Sequence, residues 1–513
     1  MARKERTVKN GISAVIKYVV KLLLQFVLRT IIIYKLGVEY VGLDSLYANI
    51  ISMLSLAELG IGSAIAFSMY KPAAENDIEK LKSLNSLFKK VYLIIAGVVL
   101  VVGLALMPFL DFFISGEPNV DVNLQIVYLV FLLNTVVSYF GAHKRSLLFA
   151  YQRNDVENNI MTMQLIMMSI AQIVLLLIFK NYYLYVVMIP LFTLFEVIMV
   201  NIKAKKMFPE ISGKAQPLDK DTKKAISKNI IATSCHKLGA VVVMSTDNLL
   251  VSKFFGLTVL GTISNYVLIY SAITSLISIL INALQASVGN LIATKSEDEV
   301  YKFYKVCNFA FSLIVGFCAI CMMCLYQHFM GMWVGATEYT ISIWVVFALV
   351  AKFYITETRQ VTNMFKNCAG LMWQDRFKPI IESVVNIVAS IAFIKLFGLA
   401  GIYVGTIFST LCAPLWVEPL VLHKHYFKCS MKNYFIKYAA YLLITLITGG
   451  LSYFVCSLLP LYGIWWFILK AIICFAIITF VYLLCYFKTS EFKDCYQSYV
   501  KPLLKKLKRA KVK

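Results

Sequence analysis

The chain has 513 residues, of which 60% are hydrophobic and 15% charged, with a mean hydropathy of +0.75 and a formal net charge of +23. A soluble domain carries about a quarter of its residues as charged side chains, so this composition excludes an ordinary water-soluble protein and points to a polytopic membrane protein. The cation excess raises nucleic acid as a partner, but its placement along the chain assigns it to membrane topology.

Apolar runs able to cross a hydrocarbon core, about 20 residues at about 1.5 Å each, recur fourteen times: 12–36, 41–70, 91–114, 122–142, 158–180, 182–202, 229–255, 258–290, 306–328, 339–362, 378–397, 399–422, 434–459 and 462–487. The expected fold class is all-α, a polytopic membrane protein with about 14 transmembrane helices. The opening MARKERTVKN is basic. The span behind it is long, carries its own charges and lacks a small-residue cleavage site, so it reads as a retained helix and not a signal peptide.

That first span holds Lys17, Lys21, Gln25 and Arg29 at steps of four. Each step advances about 40° around a helix, so they form one slowly winding stripe about 18 Å long. Lys17 is near enough to the inner end to snorkel, whereas Arg29 is not. Such a stripe suits the lining of an anionic path.

In the second span, SMLSLAELGIGSAIAF (52–67) places Glu58 before a Gly60-Ile61-Gly62-Ser63 break. A mid-span acid is costly unless protonated, paired with a cation such as Arg29, or used to couple an ion. An interhelical structural hydrogen bond is the competing reading.

Residues 203–228 form the longest hydrophilic interruption, with two prolines, a glycine and eight lysines. It separates six spans from six, and an ungapped comparison at an offset of 219 residues supports duplication. KNGI (9–12) lies over KNII (228–231), KLGVEYVG (35–42) over FFGLTVLG (254–261), and Ser45 and Tyr47 over Ser264 and Tyr266. The halves are therefore expected as parallel-topology repeats. The expected organisation is an N-lobe at 1–202, a linker at 203–228, a C-lobe at 229–424, two extra helices within 425–487 and a basic tail at 488–513.

The seventh span, paired with the first, carries Thr233, Ser234, His236, Lys237, Ser245, Thr246, Asp247 and Asn248, and Asn248 occupies the repeat position of Arg29. These two helices are expected to face a central cleft. The repeat position of Glu58 is Ile277, so its role is not duplicated. The tenth span adds Lys352 at mid-depth, with Glu357 and Arg359 nearer one end as cavity or interfacial charges.

All but ten of the 50 Lys+Arg lie at or beyond span ends on one side of the membrane. The opposite side holds Lys35, Lys180, Lys253 and Lys395, and Lys17, Lys21, Arg29, Lys237, Lys352 and Lys470 fall inside spans. That asymmetry places both termini in the cytoplasm, where the tail ending KKLKRAKVK suits anionic headgroups. None of the twelve cysteines lies in an outer loop, so no disulfide framework is implied. Cys318, Cys321 and Cys324 share a helical spacing that suits small-residue packing better than a metal site. His423 and His425 flank Lys424 at an inner helix end. No nucleotide-binding loop, G-x-S-x-G or H-E-x-x-H motif occurs, so neither catalysis nor a cofactor is expected; a coupling proton or sodium ion is the one small ion to consider.

Five stretches together resemble the Wzx-type polysaccharide/oligosaccharide flippases of the multidrug/oligosaccharidyl-lipid/polysaccharide exporter superfamily. They are SMLSLAELGIGSAI (52–65), LLFAYQRN (147–154), DNLLVSKFFGLTVLGTISNYVLI (247–269), ASVGNLIATKSEDEVYKFYK (286–305), and WQDRFKPIIESVVNIVASI (373–391) with FGLAGIYVGTIFST (397–410). The resemblance implies two pseudo-symmetric six-helix lobes plus two C-terminal helices in a bacterial cytoplasmic membrane. It further implies that an undecaprenyl-diphosphate-linked oligosaccharide crosses to the outer leaflet by alternating access, for capsule, O-antigen or exopolysaccharide synthesis. Lys21, Arg29, Lys237 and Lys352 would hold the diphosphate, with Gln25, Glu58, Asp247 and Asn248 as polar or coupling groups. Arg376, Glu382 and Asn386 match the family's R…E…N segment, with Arg376 and Glu382 as a gate or fold-locking pair. Membrane lipids and other glycan-assembly proteins are the further partners implied. A cation-coupled multidrug antiporter is the first rival, although it would favour acids in the cavity; a membrane glycan polymerase is the second.

Overall fold

The structure, a computed structural model, describes residues 3–58, 61–211, 216–218, 220–335, 339–460, 463–497 and 501. Among these residues the regular secondary structure is helical, without a strand. The helices are α1 (Arg3–Lys35), α2 (Val38–Leu54), α3 (Ile61–Glu75), α4 (Ile78–Leu106), α5 (Leu124–Ala150), α6 (Asn154–Phe179), α7 (Tyr182–Met207), α8 (Lys220–Thr294), α9 (Glu297–Val334), α10 (Ile343–Thr358), α11 (Gln360–Cys368), α12 (Lys378–Phe397), α13 (Ala400–Cys412), α14 (Pro414–Leu422), α15 (Lys432–Ser457), α16 (Ile464–Tyr486) and α17 (Ser490–Cys495).

Among the described residues, 11 helical stretches are long and apolar enough to cross a membrane, so the protein is a multi-pass membrane protein. The difference from fourteen has three local causes. The span expected at 41–70 is broken into α2, a short 3-10 turn at Ser55–Glu58 and α3. The spans 229–255 and 258–290 run together as the 75-residue α8, kinked at Gly256. The span 339–362 is the 16-residue α10 followed by α11.

Helix starts follow from capping chemistry. Asp77, Asn123, Asn181 and Ser296 accept backbone N–H groups at the starts of α4, α5, α7 and α9, satisfying donors that a helix leaves open.

The chain divides into two compact units, Met1–Ser264 and Asn265–Lys513. The division falls inside α8, past the 203–228 linker. In the first unit α1 lies along α6, tied by Asn10 Oδ1 accepting the Asp155 N–H at 2.8 Å and by Asn158 donating to Ser13 at 3.1 Å. Its core is closed by Leu43, Leu46, Tyr47, Phe88, Val127, Tyr128 and Leu132, all fully buried.

The repeat is visible inside this unit as contacts between equivalent residues. Gly37 before α2 has φ 114 and ψ 162, and Gly256, 219 residues on, has φ 81 and ψ 179; both conformations are open to glycine and strained for other residues. A Cβ at Gly42 would collide with the Leu257 carbonyl, and one at Gly261 with the Val38 carbonyl. Thr258 donates to its own equivalent, Glu39, at 2.7 Å. When residue i meets the partner of j and j meets the partner of i, an approximate two-fold axis runs through the contact, here between Gly42 and Gly261.

In the second unit, α12 and α13 form a tight hairpin turned at Gly398, with Asn386 donating to Thr406 across it at 3.0 Å. α9 is the spine, and α15 and α16 pack on it through Ile320, Cys324, Cys456, Cys474 and Ile478.

Candidate functional site

At about 100° per residue, the exposed Ile12, Val15, Ile16, Val19, Leu23 and Val27 make one apolar face of α1. Lys21 and Gln25 are also exposed, but stand about 150–170° from the centre of that face. The polar stripe is therefore open on the side of α1 turned away from its apolar face. Lys17 is half-buried against the Met161 sulfur at 3.8 Å.

At the far end of the stripe, Arg29 Nη1 donates to the Ser264 carbonyl at 2.5 Å and to its hydroxyl at 3.3 Å. Asp44 on α2 stands within electrostatic reach of the guanidinium. Its carboxylate accepts from Tyr182 at 2.6 Å and from Tyr185 at 3.2 Å, and Gln172 donates to the Tyr185 carbonyl at 3.1 Å. Arg29 and Asp44 each lie six residues from the α1–α2 turn, about 9 Å into their helices. Asp44, Tyr182 and Tyr185 were not among the residues singled out from sequence.

Glu58 does not pair with Arg29. It accepts from Tyr92, which stacks on Phe88 at 4.9 Å and meets Tyr139 at 5.6 Å. A Cβ at Gly62 would strike the Tyr92 hydroxyl, so the glycine makes room for this pair. Gly60 lies outside the described residues, as does the Lys237 side chain. Ser245, Thr246 and Asp247 are buried, with Asn248 half-buried; the side chains of Thr233, Ser234 and His236 lie outside the described residues. Lys352 lies over the Tyr270 and Tyr403 rings at 5.8 and 5.4 Å.

The second unit assembles a different charge cluster. Glu418 on α14, fully buried, accepts from Arg359 at 2.8 Å and Lys378 at 2.5 Å. Lys378 reaches Asp375 at 3.4 Å, and Asp375 also pairs with Lys366. Burial, reinforced by Lys378, pulls the Lys366 ammonium below the ordinary lysine range. Glu382 joins through Arg359 at 3.7 Å and Thr410 at 3.4 Å. The pairing expected between Arg376 and Glu382 is not formed: Arg376 donates to the Trp373 carbonyl at 2.8 Å and stacks over the Trp373 ring at 4.1 Å. Glu357 accepts from Thr274 at 3.2 Å. In the first unit, Arg145 and Glu196 make a two-pronged pair at 3.1 and 2.8 Å, a geometry matched to guanidinium and carboxylate.

Cys324 gathers with Cys456 and Cys474, their sulfurs all within 4.8 Å of one another, and Cys318 and Cys321 are outside that group. Among the described residues it is the one cluster of three or more metal-capable side chains.

No protein-family model and no curated relative matches the chain. Solved structures do. The lipid II flippase MurJ in an inward closed conformation aligns at TM-score 0.63 and 13% identity, over 93% of this chain and 99% of that one. A multidrug-resistance MATE transporter of the MOP superfamily, inward-facing, aligns at 0.57 and 14%, over 80% and 98%. A MOP-superfamily transporter from Pyrococcus furiosus, titled for the reverse polarity of its binding pocket, aligns at 0.53 and 14%, over 83% and 97%. At such identities the likeness is one of architecture: this chain has the fold of MOP-superfamily transporters.

Proposed function

We propose that the protein is a flippase of the Wzx type, moving an undecaprenyl-diphosphate-linked oligosaccharide from the cytoplasmic to the outer leaflet by alternating access through a cationic cavity. The observation that carries this reading is the α1 stripe: Lys21 and Gln25 open on the side away from the apolar face, leading to Arg29. A guanidinium can grip phosphate oxygens in two prongs, and a water-filled, cation-lined route suits a diphosphate. Coverage supports the same reading, since the lipid-linked-substrate flippase aligns over 93% of this chain and the multidrug transporter over 80%. In this account both termini are cytoplasmic, the lobes follow the sequence repeat on either side of residues 203–228, and transport involves no covalent chemistry. The protein works in a bacterial cytoplasmic membrane alongside other glycan-assembly proteins. Lys237 and Lys352 are proposed as further cavity cations, and a proton or sodium ion as the coupling ion.

The test uses wild-type protein in proteoliposomes with fluorescent undecaprenyl-diphosphate sugar, read by protection from a membrane-impermeant reductant. The flippase reading expects exchange between leaflets well above protein-free vesicles. Transport of cationic dyes against a proton or sodium gradient, with no exchange of the sugar-lipid, would assign the antiporter function instead.

A further inference from the structure

Two helices of the second unit face each other with chemistry unusual for membrane packing. α9 turns Tyr301, Tyr304, Lys305 and Asn308 to one side at spacings of three and four, and α15 does the same with Tyr434, Lys437, Tyr438 and Tyr441. Membrane helices ordinarily approach through small residues, whereas these two stripes bound a cavity of about 120 Å³. A cavity of about 150 Å³ holds a benzene ring, so this one accommodates a single phosphate group.

His423 lines the same cavity and is only 1% exposed. Its Nδ1 lies 2.9 Å from the Pro419 carbonyl. A carbonyl oxygen only accepts, so Nδ1 carries the hydrogen and Nε2 is the remaining polar atom. That Nε2 is buried and has no hydrogen-bond partner, a state that costs free energy unless a ligand fills it. Lys305 sits 5.1 Å from the centre of the Tyr301 ring, and Lys437 pairs with Glu491. Two ammonium groups against one carboxylate leave the site positive.

We propose that this cavity binds the phosphate monoester of a lipid headgroup. A phosphomonoester presents charged oxygens to Lys305 and Lys437, and acceptors to the tyrosine hydroxyls. It also carries both a P–OH and P–O⁻ oxygens, matching His423 Nε2 in its neutral and its protonated state. A lipid is favoured over a free ion because an apolar groove of about 320 Å³, lined by Leu313, Phe317, Ile478 and Leu483, lies beyond the Tyr441–Tyr486 ring contact at 5.9 Å.

The experiment places the full-length protein in phosphatidylcholine nanodiscs and counts retained lipid by native mass spectrometry, with phosphatidic acid, undecaprenyl monophosphate or inorganic phosphate added. The site predicts one phosphomonoester lipid retained at least about tenfold over phosphatidylcholine. That preference falls to the neutral-lipid level in Lys305→Gln/Lys437→Gln, persists in Lys305→Arg/Lys437→Arg and weakens several-fold in His423→Phe. Stronger retention of the polyprenyl lipid identifies the carrier as the source, and equal retention means that the headgroup alone is read. No preference over phosphatidylcholine, a preference that survives in a monodisperse Gln double variant, or displacement of both lipids by inorganic phosphate would overturn the proposal. No transport is measured, so failure here leaves the flippase reading untouched.

Discussion

One charge cluster in each unit is set in a contrasting way. In the second, Glu418, Arg359, Lys378, Asp375 and Lys366 are bound into one another, and Glu418 and Lys366 have essentially no exposed surface. In the first, Arg29 donates to Ser264 with Asp44 within electrostatic reach, and the stripe it ends runs through exposed Gln25 and Lys21. A cluster whose charges pair with one another serves as a lock, while a cation at the end of an open polar stripe suits a mobile anion. On the flippase reading proposed above, the difference separates structural charge from working charge.

The largest effect expected is at the lock. Glu418→Ala removes the carboxylate that Arg359 and Lys378 share and breaks two pairs at a buried carboxylate, at a cost of about 3–5 kcal/mol. The expected outcome is loss of monodisperse protein on size exclusion; normal yield and melting temperature would mean the cluster does not act as a lock. Next comes Arg29→Ala, which removes charge-assisted hydrogen bonds worth about 1.5–3 kcal/mol and should lower the rate of sugar-lipid exchange by about 10- to 100-fold. Gly42→Ala sets a methyl against the Leu257 carbonyl and should cost about 1–3 kcal/mol, read as a lower melting temperature. Gly261→Ala should cost a similar amount, because the contact is two-fold. Tyr182→Phe deletes one hydrogen bond to Asp44, worth about 1 kcal/mol, and sharpens the comparison by loosening Asp44 without touching Arg29. Lys21→Gln is the smallest, within about 0.5 kcal/mol in stability for an exposed residue, and should appear only as a few-fold weaker apparent affinity for the sugar-lipid in the exchange assay.

Legibility in the sequence followed the range of the interactions. Apolar runs are local, so the span 182–202 falls within α7 and the span 91–114 covers the end of α4 and the 3-10 turn at Met107–Phe113 behind it. The repeat was legible for a similar reason: Gly37, Gly42 and their partners 219 residues on are constrained by backbone geometry, which glycine alone relieves. Long-range pairing was not legible. Arg376 and Glu382 are six apart, a spacing that puts them on different sides of a helix, and the partner of Glu382 comes from Arg359. The spacing of Cys318, Cys321 and Cys324 gave no sign of Cys456 and Cys474, which come from two later helices. Asp44 was not singled out: it lies three residues inside the span expected from 41, whereas α2 starts at Val38 and sets it six residues into the helix, and helix ends are hard to place from a pattern.

The contrast between lock and working charge is tested most directly by reductant-protected exchange of fluorescent undecaprenyl-diphosphate sugar, with wild type and Arg29→Ala reconstituted at equal density and their melting temperatures recorded alongside. The account predicts that Arg29→Ala keeps its fold and loses exchange by tenfold or more. Wild-type exchange in a correctly folded Arg29→Ala protein would contradict it.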